Sequence, residues 1–571
     1  MLWIEEQLDN HRVKDLSAKL SCSELLAKLL LRRDLDSLEK AVPYLYPKLA
    51  HLTDPFTVPN LKNACIRICQ SIDKKDKILI VGDYDVDGIT STVIVASIIQ
   101  AFGLDPHYVI PHRIEEGYGL TKDVLERGMN RDKIDLVIAL DCGTNSVEEA
   151  SFLEEQGIDL VIIDHHQSKG NIHQHPTILN PHLHDKKGID WTNLCTAGLC
   201  FKLIHGIIKY LREKKNEIAL NLNPKDYLAL AALGTLADMV PLEGENRVLT
   251  KYGLKHLRHN PSVGLAALIK LAKFDTRFSF DAEDITFRIA PRINACGRLN
   301  KPEVAAQLLL SQDSDNAMRL AKQMDDFNEE RKGIEAKLTE TAHSLAEEKF
   351  ASLPAVVIAG EGKEWNPGVV GIVAGKLANS LNKPCIVLAY DKGRYKGSGR
   401  GIAGINLVEA LASCSDLLEH WGGHPVAVGL TVCESKINDF ISAFTNFLAL
   451  DNNKPQDPSL QIDAVLKVHD IDGELLNEIG MIGPFGQENR EPIFALKEII
   501  LHSKPRPVGN GEHFQFRVEN GERSIAGIAW KMKDRTPPIN KKIDLAFRLK
   551  WNRWNNQNTP QMVLQDWKAS E

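Results

Sequence analysis

From residue 77 onwards, short and almost wholly apolar segments alternate with segments that have helical spacing. Continuous apolar strands that alternate with amphipathic helices are typical of a parallel sheet covered by helices on both faces. The alternation therefore predicts an α/β domain, which residues 197–213 and 224–239 close as two further helices. The predicted strands are residues 77–81, 107–110, 134–140 and 159–163.

A second α/β unit is predicted between residues 353 and 451. Residues 311–350 precede it and have the pattern of one long charged helix with a narrow apolar seam. The seam suits a rigid connector between domains. A partner-binding coiled coil fits less well, because the seam is short and interrupted. The seam residues are Leu320, Met324, Phe327, Ile334, Leu338 and Leu345.

The two ends of the chain differ from these units. Residues 1–55 have the pattern of short helices interrupted by Pro43 and Pro47, which predicts an N-terminal accessory segment. Residues 452–458 have linker composition, and the short alternating segments that follow predict a small β-barrel of the oligonucleotide-binding (OB) kind. The expected organisation is an accessory segment (1–55), a catalytic domain (56–250), a helical connector (251–350), a second α/β domain (351–455) and an OB-like domain (456–571).

Composition limits the class of protein without identifying it. A chain of 571 residues is too long for one hydrophobic core, so several domains are expected. No secretory signal or bilayer-spanning apolar run is visible, and the ten cysteines contain no CxxC pair, which favours a reduced cytoplasmic protein. The formal net charge of −7 does not exclude a nucleic-acid binder, because phosphate contacts depend on local basic surface.

Three aspartates lie within Gly82-Asp-Tyr-Asp-Val-Asp-Gly88, directly after the first predicted strand. Ligands of open α/β sheets bind beyond the carboxyl ends of the strands. Carboxylates crowded there repel one another unless hard cations compensate their charge. A single aspartate would be interpreted as a helix cap. Three in this position favour a metal site.

The same placement recurs at the later strand ends. Asp141 follows the third predicted strand. Asp164, His165 and His166 follow the fourth. Asp238 lies at the end of an apolar helix, where a lone buried carboxylate is costly without a cation or a donor. Aspartates with a histidine suit Mn²⁺ or Mg²⁺ rather than zinc, and a shared carboxylate would hold two ions about 3.5–4 Å apart.

These segments resemble the motifs of the Asp-His-His (DHH) phosphoesterases: GDYDVDG at 82–88, the aspartate at 141, DHH at 164–166 and GTLADMVPL at 234–242. Other segments resemble the RecJ exonuclease family within that superfamily, and they lie at 111–119, 291–298, 397–400, 422–429 and 484–486. The resemblance covers nearly the whole chain. It implies two α/β domains (DHH and DHH-associated) joined by a long helix, plus a C-terminal OB-like β-barrel domain. It also implies a metal-dependent exonuclease that degrades single-stranded DNA from 5′ to 3′ into mononucleotides, in DNA repair and recombination.

The resemblance assigns the metal ligands. Asp85 and Asp141 would hold one ion, and a second would be held by Asp87, Asp141, His165 and Asp238.

One position departs from the pattern of the superfamily. Many members place a histidine two residues before the position of Asp83, whereas this chain has Val81. The first ion would then lack a ligand, which predicts weak or variable occupancy. Asp83 either compensates or only orders the loop. By the same resemblance His166 would contact the scissile phosphate, and Asp164 and Asp83 are expected to act with it in catalysis.

The resemblance further implies a pocket for the terminal 5′ phosphate. Arginine offers phosphate a planar fork, and glycines beside a serine permit close backbone approach. Arg292 would serve as well as Arg298, because the sequence does not show which of them points inward. For His424 a structural role is nearly as consistent as a place in the cleft. The expected substrate-binding residues are Arg113, Arg298, Ser398, Arg400 and His424.

In the C-terminal region, Arg548-Leu-Lys-Trp-Asn-Arg-Trp554 interleaves cations with aromatics. Proteins that bind single strands stack bases on aromatics beside a basic groove. Tryptophan in a small β-barrel is also often part of the core. Both interpretations remain open for this segment.

Two other functions fit parts of the sequence. A DHH phosphatase of small nucleotides shares the metal motifs but generally lacks the long helix and the C-terminal domain. A catalytically inactive scaffold would have lost metal ligands, whereas only the position of Val81 departs here. We therefore expect a cytoplasmic monomer, without membrane association, that uses two divalent ions (Mn²⁺ or Mg²⁺) and binds the 5′ end of single-stranded DNA. A single-strand-binding protein and a helicase are its candidate partners.

Overall fold

The computed structural model describes residues 1–112, 116–117, 119–130, 133–168, 170, 172–173, 177–184, 190–362, 364–450, 459–521, 523–553 and 558–570. The chain forms two compact units. The first comprises Met1–Thr53, Met239–Lys251 and Asp457–Glu571, and the second comprises Asp54–Asp238 and Tyr252–Gln456. In the described ranges, no helix has both the length and the apolar character needed to cross a bilayer.

The N-terminal segment contains β1 (Leu2–Glu5), α1 (Asn10–Leu20), α2 (Glu24–Leu31) and α3 (Leu38–Leu45). Asp9 and Ser23 cap the first two helices by accepting hydrogen bonds from backbone N–H groups. The prediction that Pro43 interrupts a helix is wrong, because α3 contains it and continues to Leu45. The helix does end before Pro47, whose ring disfavours helical backbone in the preceding residue.

The predicted first α/β domain is present, and all four predicted strands are confirmed. Its five strands form one parallel sheet in the order β3-β2-β4-β5-β6. The strands β2, β4 and β5 are almost wholly buried, as expected for a sheet covered on both faces. The elements are α4 (Leu61–Lys74), β2 (Ile78–Val81), α5 (Val86–Ala101), β3 (His107–Val109), α6 (Lys122–Met129), β4 (Leu136–Leu140), α7 (Val147–Glu155), β5 (Asp159–Ile163), β6 (Ile178–Leu179), α8 (Thr196–Glu213), α9 (Glu217–Asn221) and α10 (Leu228–Ala237).

The chain then becomes helical, with α11 (Gly244–His259), α12 (Val263–Leu271), α13 (Ala282–Asp284), a π-helical turn (Ile285–Ile289), α14 (Ala290–Arg298), α15 (Glu303–Leu310) and α16 (Ser314–Phe350). The 37-residue helix α16 confirms the predicted long helix. Of its predicted seam, Leu320, Met324 and Leu338 are buried. Phe327 and Ile334 are only half-buried.

The second α/β domain contains β7 (Val356–Gly360), α17 (Val370–Leu381), β8 (Cys385–Asp391), β9 (Arg394–Arg400), α18 (Leu407–Ala412), β10 (Leu418–His424), β11 (Ala427–Cys433) and α19 (Ile437–Leu448). Its sheet has the order β10-β11-β9-β8-β7. The pair β7–β8 is parallel, and the other pairs are antiparallel. The register places Gly429 opposite both Gly422 and Ser398, so the glycine-rich segments are neighbouring strands.

The C-terminal region contains β12 (Ser459–Ile462), β13 (Ala464–Val465), α20 (Gly473–Ile482), β14 (Phe494–Ile500), β15 (Arg506–Val508), β16 (His513–Asn520), β17 (Arg523–Ala529), β18 (Lys542–Asn552) and β19 (Thr559–Ala569). Seven of these strands form one mixed sheet in the order β13-β14-β18-β19-β17-β16-β15. The remaining strand, β12, pairs in parallel with β1 at the other end of the chain. Leu16 and Leu30 of the N-terminal helices share a hydrophobic core with Phe494 and Phe547 of the sheet.

Candidate metal and phosphate site

The segment 82–88 comprises the tight loop that follows β2 and the first residues of α5. Asp85 caps α5, and its Oδ1 accepts a hydrogen bond of 3.1 Å from the backbone N–H of Gly88. A Cβ on Gly88 would lie 2.6 Å from the backbone nitrogen and oxygen of Asp83. Glycine is therefore needed there for the first turn of the helix to lie against the loop. The loop holds Asp83 and Asp85, and the first turn of α5 holds Asp87, at the carboxyl end of β2.

Three carboxylates surround the imidazole of His165. Its Nε2 lies 3.4 Å from Asp238 Oδ2, 3.5 Å from Asp141 Oδ1 and 3.8 Å from Asp87 Oδ2. This nitrogen is buried and makes no hydrogen bond within the described residues. A buried acceptor among carboxylate oxygens fits a cation held between them. These four residues are the ligand set predicted for the second ion.

Asp141 also belongs to a second group of carboxylates. Ligand atoms of Asp83, Asp85 and Asp141 all lie within 4.8 Å of one another. Val81 is fully buried in β2 and offers no side-chain donor to this group. The structure therefore brings Asp83 to the place where the first ion is expected.

Asp141 is common to both groups and has an unusual backbone. Its φ of 63° lies in the left-handed region, which costs energy for a residue other than glycine. Its Oδ1 accepts a hydrogen bond of 3.0 Å from Thr196 Oγ1. The backbone and this hydrogen bond fix the carboxylate between the two groups.

Asp87 is held by the beginning of α8. Its two oxygens accept hydrogen bonds from the backbone N–H groups of Thr196 (2.8 Å) and Ala197 (2.9 Å). A helix N-terminus stabilises an anion in this way. A Cβ on Gly234 would lie 2.6 Å from Asp87 Oδ1, so the packing of α10 also fixes this carboxylate. Sequence reasoning did not identify Thr196, although a threonine at the start of a predicted helix is a signal for such a contact.

Burial controls the protonation of the cluster. It raises the pKa of Asp85 and Asp141 above the ordinary value for aspartate, and neighbouring carboxylates raise both further. Burial, with the charges of Asp87 and Asp85, raises the pKa of Asp238 to about 9. Burial also lowers the pKa of His165, which favours the neutral imidazole that ligates metals. Such a set of oxygens with one imidazole fits a hard divalent cation, which would restore the ionised carboxylates.

His166 and Asp164 form a hydrogen-bonded ion pair. Nδ1 of His166 donates to Asp164 Oδ1 over 2.7 Å, and the backbone N–H groups of His166 and Thr144 also donate to this carboxylate. Burial alone would raise the pKa of Asp164, but these hydrogen bonds lower it. Burial alone would lower the pKa of His166, but Asp164 raises it to about 9. Asp164 is thus a positioning residue, and His166 is a cation 3.9 Å from Asp141 Oδ1.

Three of the five residues predicted to bind the substrate meet at residues 366–371. Nη1 of Arg298 donates to the carbonyl of Gly368 (2.7 Å). A Cβ on Gly371 would lie 3.3 Å from Ser398 Oγ and 3.4 Å from Arg400 Nη2. Gly371 is in the first turn of α17, where backbone N–H groups favour anions. Two arginines, a serine and a helix N-terminus together suit a phosphate group.

Other residues named from the sequence have different positions. Arg292 forms an ion pair of 2.8 Å with Asp325 on α16, so the structure favours Arg298 for the phosphate. His424 is exposed at the end of β10. It is paired with Ala427 of β11, and Ala427 is paired in turn with Arg400 of β9, so one strand lies between His424 and Arg400. Arg113 lies outside the described residues.

The cation and aromatic run of the C-terminal region is largely occupied by protein contacts. Trp551 packs against the hydrophobic core, with its ring beside Gly473. Arg548 and Lys550 lie 3.4 and 3.7 Å from the carboxylate of Glu491. Trp554 lies outside the described residues. The structure therefore favours the core interpretation for Trp551.

Family comparisons agree with this architecture. The model of the DHH family, N-terminal domain, matches residues 77–235, and the DHHA1 domain model matches residues 353–450. The two α/β domains thus have the arrangement that defines DHH proteins with an associated DHHA1 domain. The RecJ OB domain model matches residues 462–566. The predicted fold class is confirmed, whereas the exact division into five segments stays a prediction.

Similar proteins identify the family. The single-stranded-DNA-specific exonuclease RecJ of Bacillus subtilis (strain 168) is 35% identical over 580 residues, which cover 100% of this chain and 71% of the relative. The protein of that name from Haemophilus influenzae is 30% identical, with 90% and 92% covered. Among solved structures, RecJ of Thermus thermophilus in complex with Mn²⁺ matches with a TM-score of 0.83 and 27% identity, covering 100% of this chain and 80% of that one. The chain belongs to the RecJ family.

Proposed function

We propose that this protein is a metal-dependent exonuclease that hydrolyses single-stranded DNA from its 5′ end and releases mononucleotides. The observation that carries the proposal is the closeness of the phosphate pocket to the metal loop. Gly297 precedes Arg298, and a Cβ on Gly297 would lie 2.7 Å from the backbone oxygen of Tyr84 in that loop. A 5′ phosphate bound by Arg298 therefore places the first phosphodiester bond of the strand near the carboxylate cluster.

The relatives support the substrate and the metal. Their names describe exonucleases specific for single-stranded DNA, and Thermus thermophilus RecJ has been solved with Mn²⁺ and with Mg²⁺. We assign Mn²⁺ or Mg²⁺ to the cluster of this chain. When bound, the ions would activate the attacking water and neutralise charge on the phosphoryl oxygens.

The protein's own residues hold and orient the reactants. Asp87, Asp141, His165 and Asp238 would hold the second ion. Asp85 and Asp141 would hold the first, and Asp83 either adds a ligand to it or only orders the loop. Protonated His166, oriented by Asp164, donates a hydrogen bond to a non-bridging oxygen of the scissile phosphate. Arg298, Ser398 and Arg400 bind the terminal phosphate, and this fixes the polarity of degradation.

The first ion is expected to bind more weakly, because Val81 supplies no ligand. A Mn²⁺ titration followed by electron paramagnetic resonance should resolve one tight and one weaker ion. Asp83→Asn should remove the weaker ion if Asp83 is its compensating ligand. Retention of both ions in Asp83→Asn would show that Asp83 only orders the loop.

Digestion of a long strand labelled at either end tests the proposal. Mononucleotide should be released at once from the 5′ end, with Mn²⁺ but not with EDTA, and from the single strand but not from the duplex. A 5′-phosphorylated strand should be preferred over a 5′-hydroxyl strand, and Arg400→Ala should remove that preference. Activity confined to dinucleotides would instead favour a small-nucleotide phosphatase, and inactivity with either metal would favour a scaffold.

The cellular setting is a further part of the proposal. We assign the protein to DNA repair and recombination in the cytoplasm, as a monomer recruited by a single-strand-binding protein or a helicase. Support comes from the substrate class of the relatives and from ten cysteines without a disulfide. Co-purification of these two partners with the full chain on gapped DNA would test the recruitment.

A further inference from the structure

A cavity of about 720 Å³ lies among α16, the end of α14 and the loop that follows β7. Small-molecule sites typically enclose about 300–1,000 Å³. All three walls belong to the second unit. Neither the metal cluster nor the terminal-phosphate residues line this cavity.

The helical wall is built from one face of α16. Phe327, Glu330, Ile334 and Lys337 follow one another at spacings of three and four residues, which places them on that face. Two residues of the apolar seam predicted from the sequence, Phe327 and Ile334, therefore line this cavity, and Ile334 also packs against the core of the second α/β domain.

Gly333 lies on the same wall and keeps the space open. No atom lies within 4 Å of the position that its Cβ would occupy, and its backbone is helical. Glycine weakens a helix interior relative to alanine. Neither packing nor backbone conformation explains it here, whereas a ligand beside the helix would require such a flat wall.

The opposite wall adds apolar and polar groups. Leu299 and Lys301 follow α14, and Glu364 and Asn366 come from the loop after β7. Neither Lys301 nor Lys337 of the helical wall forms an ion pair within the described ranges. The cavity thus combines an aromatic ring and apolar neighbours with two lysines and two glutamates, Glu330 and Glu364.

The cavity and the terminal-phosphate pocket are adjacent. Asn366 lines the cavity, and its Oδ1 accepts a hydrogen bond of 2.7 Å from the backbone N–H of Gly368. Gly368 contacts Arg298, because a Cβ on it would lie 2.3 Å from the Arg298 carbonyl oxygen. The turn 366–368 therefore contacts both sites.

We propose that this cavity binds a nucleoside 5′-monophosphate, the product of hydrolysis, after it leaves the cleft. The base stacks on Phe327, against Leu299 and Ile334, and the phosphate lies between Lys301 and Lys337. Glu330 and Glu364 accept hydrogen bonds from sugar hydroxyl or base N–H groups. The identity of the ligand as the reaction product rests on the proposed exonuclease activity.

The test is equilibrium dialysis of the full chain with labelled thymidine 5′-monophosphate in EDTA, in an Arg400→Ala background that disables the terminal-phosphate pocket. Gly333→Leu should weaken binding by roughly tenfold or more, because its side chain fills the place of the base. Gly480→Leu is the matched control: Gly480 lies in α20, also has no atom within 4 Å of its Cβ position, and does not line the cavity. This control should bind the nucleotide as the Arg400→Ala background does. Both changes improve helix propensity, so both variants should fold.

Two results would overturn the inference. One is equal affinity of Gly333→Leu and Gly480→Leu for the nucleotide. The other is that Gly333→Leu weakens binding of a 5′-phosphorylated oligonucleotide as much as it weakens binding of the mononucleotide. In that case the cavity would be part of the path of the DNA strand and not a site for the product. The dialysis needs no hydrolysis. If the wild-type chain releases no mononucleotide from DNA, the proposed function is refuted, and the dialysis still decides whether the cavity binds the nucleotide.

Discussion

Asp238→Asn should stabilise the metal-free protein at alkaline pH while it abolishes metal-dependent hydrolysis. The side chain of Asp238 is 22% exposed, and burial with two neighbouring carboxylates raises its pKa to about 9. A raised carboxyl pKa means that the folded state binds the proton more tightly than the unfolded state does. The contribution of this proton to stability is therefore complete below about pH 4 and is lost as the pH rises towards 9.

The magnitude follows from the pKa and the proton linkage. Between about pH 6 and pH 8, the wild type should lose about 3 kcal/mol of unfolding free energy that Asp238→Asn retains. The compact unit that contains Asp238 has roughly 390 residues, and for a unit of this size the loss corresponds to roughly 4 °C in the unfolding midpoint. Differential scanning calorimetry in EDTA at the two pH values measures the difference between the two proteins.

Two controls complete this experiment: the addition of Mn²⁺, and a variant of an exposed aspartate. Mn²⁺ should restore the alkaline midpoint of the wild type more than that of Asp238→Asn, because only the wild type keeps the full ligand set. Asp226→Asn is the control, because Asp226 is an exposed aspartate of the preceding turn. If the wild type and Asp238→Asn respond to pH equally in EDTA, Asp238 is not protonated in the folded state and the reasoning is wrong.

Three further substitutions test the rest of the site. Asp141→Ala should lower kcat by at least about a thousandfold while circular dichroism shows a folded protein, and an active variant would disprove the shared ligand. Asp164→Asn should lower kcat roughly 10²-fold and move the alkaline limit of activity to lower pH, because His166 then loses its proton at lower pH. An unchanged pH–rate profile would show that Asp164 does not keep His166 protonated. Gly234→Ala should destabilise the protein by roughly 1–3 kcal/mol in urea unfolding and weaken Mn²⁺ binding, because the new Cβ displaces Asp87; unaltered metal affinity would show that Asp87 adapts.

Much of the first α/β domain could be predicted from sequence. Its strands are continuous apolar runs, and their carboxyl ends coincide with Asp83, Asp141 and Asp164. Because parallel strands end at one edge of a sheet, the pattern alone predicts that these residues lie close together. The pairing of His166 with Asp164 followed from no pattern, because it depends on side-chain direction after the strand.

Contacts between distant segments were not predictable. The backbone N–H of Thr196 donates a hydrogen bond to Asp87, and the two residues lie on helices more than a hundred residues apart. Apolar periodicity in the sequence does not predict such pairs. The strand β1 pairs with β12 across almost the whole chain, so neither strand has a local signal. The motif at residues 397–400 carries no strand signal, because its glycines lower strand propensity, and yet it forms the second half of β9.

The left-handed backbone of Asp141 has a consequence for evolution and engineering. Strain of this kind costs about 1–3 kcal/mol, and replacement by glycine would relieve it together with a buried charge. Variants selected only for heat resistance should therefore lose this aspartate early, and variants selected for nuclease activity should keep it. Stabilisation of this protein by consensus or library methods thus requires that position 141 be held constant, since a gain in melting temperature there would mark an inactive enzyme.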